Sequence, residues 1–120
     1  MKAHNLTRFI EEVAAAYPEA TRAVEGSKVL LSIPRVSFPA GCAPAQSAAL
    51  VVLEEGQAMP QLFIKELPRL PNGKTPRSCS PAPVGGDTCY SFSFNQPWDE
   101  NTHTALQFVE GRLRRFALNE

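Results

Sequence analysis

Thr88-Cys89-Tyr90-Ser91-Phe92-Ser93-Phe94-Asn95-Gln96-Pro97-Trp98 alternates aromatic and small side chains until a proline and the single tryptophan interrupt it. Tyr90, Phe92 and Phe94 fall on one side and Cys89, Ser91 and Ser93 on the other, the period of two expected of a half-buried strand. The aromatic side is expected to face the core, which leaves the Cys89 sulfur on the side expected to be exposed. Gln96-Pro97-Trp98 ends the strand. Asp99 or Asn101 then caps a helix running to about Ala117, with Leu106, Val109, Leu113 and Phe116 as its apolar stripe. Arg112, Arg114 and Arg115 lie in its last turns, where cations suit the helix dipole.

N-terminal to this strand, residues 67–87 are rich in proline and glycine and poor in apolar side chains. They read as one long loop, a feature that inside a small domain is usually functional or disordered. Three shorter aliphatic runs precede it. Lys28 to Ile33 reads as a strand closed by Pro34, Ser47 to Leu53 as a second and Gln61 to Glu66 as a third. Residues 34–46 carry three prolines and a glycine and read as a loop or broken edge strand. Residues 5–17 place Leu6, Phe9, Ile10, Val13 and Tyr17 on one helical stripe, with Asn5 as N-cap and Pro18 as the stop. The polar stretch that follows turns at Gly26-Ser27. The order is helix, three strands, long loop, short strand, helix. It predicts an α+β fold in which helices cover one face of an antiparallel meander.

The chain of 120 residues reads as a single domain spanning 1–120. Twelve basic residues balance twelve acidic ones, which argues against a dedicated nucleic-acid binder. Three cysteines at irregular spacing and two histidines suit neither a disulfide framework nor a metal cluster, so no metal is expected. Gly85-Gly86 lacks the spacing and the Lys-Ser/Thr of a phosphate-binding loop, and no cofactor is expected. The first residues show no secretory apolar segment. The longest aliphatic run, Val29 to Ile33, is far too short to cross a bilayer. A cytoplasmic protein with reduced thiols and no membrane association is the resulting expectation.

From Ile33 to Phe116 the chain resembles the bacterial ubiquitin-conjugating (E2/UBC)-like proteins known as prokaryotic E2 family E. The resemblance rests on Phe38-Pro39-Ala40-Gly41-Cys42-Ala43-Pro44-Ala45, on Pro68-Arg69-Leu70-Pro71-Asn72-Gly73-Lys74-Thr75-Pro76, and on Gly86-Asp87-Thr88 leading through Ser93 to Pro97-Trp98. The series of loops and the Trp-led helix carry it, in the element order of the E2 fold. The resemblance implies an N-terminal helix, an antiparallel β-meander, a long active-site loop and a C-terminal helix packed on the sheet. It further implies a carrier that accepts a ubiquitin-like protein from a ThiF-type (E1-type), ATP-using activating enzyme and passes it to an amine. Several such systems act in phage defence. By the same analogy Lys2, Arg8 and the first helix would face the activating enzyme. Leu70 stands where typical E2 proteins carry the histidine of a His-Pro-Asn triplet. Of the family pattern Trp-x-x-Trp-Ser-x-His, only the serine is present, as Ser93, with Asn95 in place of the histidine.

Acyl transfer needs a nucleophile and a donor for the oxyanion. Cys89 precedes Trp98 by nine residues, close to the cysteine-to-tryptophan spacing of E2 proteins. Its alternative reading is a small buried hydrophobe. Cys79 follows Asn72 by seven residues in the Pro-rich segment and is the second candidate. Cys42 is a weaker one. Ser93 is a third candidate, forming an oxyester with His103 as its base, or else a solvent-facing strand serine. Asn72 and Asn95 are the candidate oxyanion amides, their plain alternatives being a turn before Gly73 and a strand-end cap. Trp98 reads as a supporting aromatic beneath the active-site loop. The alternative to the carrier is an E2-like module that docks the ubiquitin-like protein or its activating enzyme without a covalent bond.

Overall fold

Pro18 stops the first helix where its steric effect on the preceding residue requires. α1 spans Ala3–Ala16, and Tyr17 leaves helical geometry at φ −128°, ψ 83°. The computed structural model describes residues 1–57, 59–77, 79–84, 87–92 and 98–118, with residues 116–118 described by backbone alone. After α1 follow β1 (Thr21–Glu25), β2 (Lys28–Ser37), β3 (Gln46–Glu54), β4 (Gln61–Ile64), β5 (Cys79–Val84), β6 (Asp87–Phe92) and α2 (Ala105–Leu118). All six strands join one antiparallel sheet in the order β1-β2-β3-β4-β6-β5. The fold is α+β, as the element order predicts. Among the described residues no helix is long and apolar enough to cross a membrane.

Residues directly opposite in an antiparallel pair share a face. Leu31 faces Val51, Ile33 faces Ala49, Val51 faces Leu62, and Ala49 faces Ile64, which faces Tyr90. This one face meets Phe9 and Val13 of α1 and Phe108, Val109 and Leu113 of α2 to form the core. Tyr90 and Phe92 pack half-buried against it, on the aromatic side of β6 expected to face inward. Phe94 lies outside the described residues.

Several elements correct the sequence reading. β2 runs on through Pro34 to Ser37, because a one-residue bulge between Ile33 and Val36 absorbs the missing N–H. The polar stretch after α1 is β1, closed onto β2 by a two-residue turn. Gly26 has φ +63° and Ser27 does not have a positive φ, the pattern of a type II′ turn. Residues 67–87 are not one loop, since β5 pairs with β6 along Cys79–Val84. Pro81 and Pro83 are tolerated because they sit two apart on an edge strand. Their missing N–H groups point the same way, outward, and Ser80, Ala82 and Val84 keep theirs for the ladder.

α2 keeps Val109 and Leu113 of the expected stripe but is turned away from Leu106, and the Phe116 side chain lies outside the described residues. Ala105, Phe108, Val109 and Leu113 are buried, and Leu106 is 37% exposed. Its N-cap is neither Asp99 nor Asn101. Gln107 N–H donates to Thr104 Oγ1 at 3.2 Å and Thr104 N–H to Gln107 Oε1 at 2.7 Å, a reciprocal capping box. Asn5 is likewise no cap but an internal, buried residue of α1.

Candidate functional site

Two of the three segments on which the resemblance rests, residues 38–45 and 68–76, are docked on each other. Ala43 N–H donates to Arg69 O at 3.0 Å and Arg69 N–H to Ala43 O at 2.8 Å. Gly41, at φ +89°, lies so near Pro71 that a Cβ would come within 2.8 Å of its ring. Glycine is needed there both for the backbone conformation and for the approach. The pair of loops flanks the open end of the sheet between β2–β3 and β4–β5.

The candidate nucleophiles do not converge. Cys89 is 6% exposed, opposite Ala82, on the face of the sheet turned away from the helices. This corrects the expected exposure of its sulfur: the residue is buried although it lies on the face away from the core. Cys79 opens β5 opposite Phe92 and is half-buried on the helix face, so the two thiols lie on opposite sides of the sheet. Cys42 is buried in the core, and burial pushes its thiol pKa up, away from the thiolate that acyl transfer needs. Ser93 and Asn95 lie outside the described residues.

Asn72 is exposed, and its Oδ1 accepts the Lys74 N–H at 2.9 Å, an Asx turn that occupies the oxygen. Trp98 is a supporting aromatic. Its ring stands edge-on to Phe9 at 5.9 Å and to Phe108 at 5.6 Å, and its Nε1–H donates to Thr104 O at 2.9 Å. His103 Nδ1 accepts the Asp99 N–H at 2.7 Å, which holds that nitrogen within its own loop.

Polar side chains do come together at a place the sequence reading missed, the junction of α1 with residues 98–105. Asn5 Nδ2 donates to Glu100 Oε2 at 2.9 Å and to Asn101 Oδ1 at 3.1 Å. Lys2 N–H donates to the same carboxylate at 2.9 Å, and Arg8 donates to Glu100 O. Ala105 N–H donates to Glu12 Oε1 at 3.0 Å, so a carboxylate of α1 caps the start of α2. A signal was available: Asn5 sits four residues before Phe9 on the apolar stripe, where a polar residue demands a partner.

Two cavities border α2. One of about 590 Å³ lies between β4, β6 and α2, lined by Met59, Phe63, Ser91, Phe92 and Arg112. Another of about 350 Å³ lies between the end of α1, the β2 bulge and α2, lined by Tyr17, Arg35, Phe38, Glu110 and Arg114. There burial, and after it the Glu110 charge, push the Tyr17 phenol pKa above its ordinary value. Neither cavity is lined by a cysteine. Among the described residues no three His, Cys, Asp or Glu side chains group as a metal site would require. Comparison of the chain with known protein families, with curated proteins and with solved structures finds no match.

Proposed function

We propose that this protein is an E2-like docking module that holds a ubiquitin-like protein or its ThiF-type activating enzyme without bonding to it. The observation that carries the choice of docking over catalysis is the burial of Cys89 and Cys42 on different sides of the sheet, with the Asn72 oxygen spent in a turn. Acyl transfer needs a thiolate with an oxyanion donor, and burial holds Cys42 as the thiol. The E2-like part of the reading is supported by the element order and by the docking of residues 38–45 on residues 68–74, the segments that resemble family E. The absent His-Pro-Asn triplet points the same way as the burial.

A carrier activity is the second reading, and one observation favours it. Cys79 is the least buried of the three cysteines and stands at the end of the long irregular segment, where β5 begins. In that reading the Cys79 thiol takes the C-terminal acyl group of the ubiquitin-like protein as a thioester.

The test mixes the chain with ATP, a ThiF-type activating enzyme and the ubiquitin-like protein that this enzyme activates. Products are resolved with and without reducing thiol, and binding is measured in parallel. A complex without an adduct is expected. A thiol-labile adduct lost in Cys79→Ser establishes the carrier, and one lost in Cys89→Ala moves the nucleophile to β6. A thiol-resistant adduct lost in Ser93→Ala means an oxyester. Neither binding nor adduct would sink both readings.

A further inference from the structure

The two edges of the sheet are built differently. The β5 edge carries Pro81 and Pro83, which remove two outward N–H groups and close that edge to pairing. The β1 edge carries no proline, all five of its residues are exposed, and its Val24 is 64% exposed. We propose that β1 pairs antiparallel with the β1 of a second copy of this chain, about a two-fold axis at Ala23.

The register follows from the turn. A two-residue hairpin makes Glu25 and Lys28 a hydrogen-bonded pair, so Thr21, Ala23 and Glu25 spend their main-chain groups on β2. The N–H and C=O of Arg22 and Val24 therefore point out of the sheet. Two-fold pairing about Ala23 sets Arg22 against the partner's Val24 and Val24 against the partner's Arg22. All four outward groups on each copy are then satisfied. Centring on Arg22 or Val24 instead runs the pairing off the strand, into Ala20 or the positive-φ Gly26.

Side chains fit the same register. Ala23 meets its own copy at a non-hydrogen-bonded position, where backbones approach most closely and a small residue suits. The Thr21 hydroxyl faces the partner's Glu25 carboxylate, a donor against an acceptor. The aliphatic stem of Arg22 lies over the partner's Val24. A second copy is favoured over a charged partner because the chain has zero formal net charge, so copies do not repel. The proline-blocked β5 edges end the assembly at two, as a closed two-fold dimer.

The test is the mass of the intact chain in solution by light scattering across concentration. Two variants accompany it. Val24→Pro removes an outward N–H that the β1–β2 ladder does not use, so the monomer should keep its circular dichroism and unfolding midpoint. Ala23→Cys places two thiols within disulfide range across the axis. The expected results are twice the 13.1 kDa monomer mass for the wild type, monomer for Val24→Pro, and oxidative cross-linking of Ala23→Cys but not of Thr21→Cys. Wild type oxidised in parallel reports any link through the native cysteines. A wild type that stays monomeric up to its solubility limit overturns the proposal. So does a dimer that folded Val24→Pro leaves intact, or cross-linking of Thr21→Cys in place of Ala23→Cys.

Discussion

The side-chain amide of Asn5, only 1% exposed on the inner stripe of α1, donates to the carboxylate of Glu100 at 2.9 Å. This joins the first helix to the segment that launches the second. The Lys2 N–H is the strongest influence holding the Glu100 carboxyl below its ordinary pKa. Partial desolvation opposes it, and the Asn5 amide and the nearby amino-terminal and Lys2 charges add to it. A carboxyl whose pKa is depressed by folding stabilises the fold above its unfolded value, about 4.3. That contribution is lost as pH falls through the lower folded value. Glu100→Gln should therefore unfold in less urea than the wild type at neutral pH, and the gap should begin to narrow only below about pH 4.3 and close once pH is below the folded value. A gap that stays constant to the most acidic pH at which both chains still fold would show that the charge plays no part.

Phe108 and Leu106 test the rotation of α2. Phe108 is fully buried and touches both Phe9 and Trp98, whereas Leu106 points outward. Phe108→Ala should cost about 3–5 kcal/mol in urea unfolding. Leu106→Ala should stay within about 0.5 kcal/mol. Equal losses would mean that the helix is turned toward the other stripe.

The thiols should separate by burial. With an aromatic disulfide reagent under native conditions, Cys79 should react first, and Cys42 and Cys89 only as fast as the chain opens. Cys79→Ser should remove the fast phase and leave the other two. Fast reaction of Cys89 in that variant would place its sulfur at the surface.

Pro81 and Pro83 should act as guards of the β5 edge. Pro81→Thr combined with Pro83→Thr restores two outward N–H groups without touching the β5–β6 ladder. The doubly substituted chain should fold and then assemble beyond the wild-type size in light scattering. An unchanged mass would assign the prolines to loop geometry alone.

Local chemistry made much of this fold legible. The stripe of α1 and its end at Pro18 depend on neighbours within a few residues, as does the alternation along β6 that turns Tyr90 and Phe92 to the core. β1 and β5 were hidden for two different reasons. β1 buries none of its residues, so no periodic signal marks it and only the ladder to β2 makes it a strand. β5 contains two prolines, which are compatible with a strand only at an edge, and edge position is a property of the assembled sheet. The phase of α2 stayed open because Val109 and Leu113 belong to the apolar stripe in either rotation. The aromatic cluster of Phe9, Trp98 and Phe108 selects the one that buries Phe108. The candidate site divides in the same way. The turn at Asn72-Gly73 was readable from two adjacent residues. The burial of Cys89 is a property of the assembled sheet, and the Asn5–Glu100 bond joins residues 95 positions apart, which only chain closure brings together.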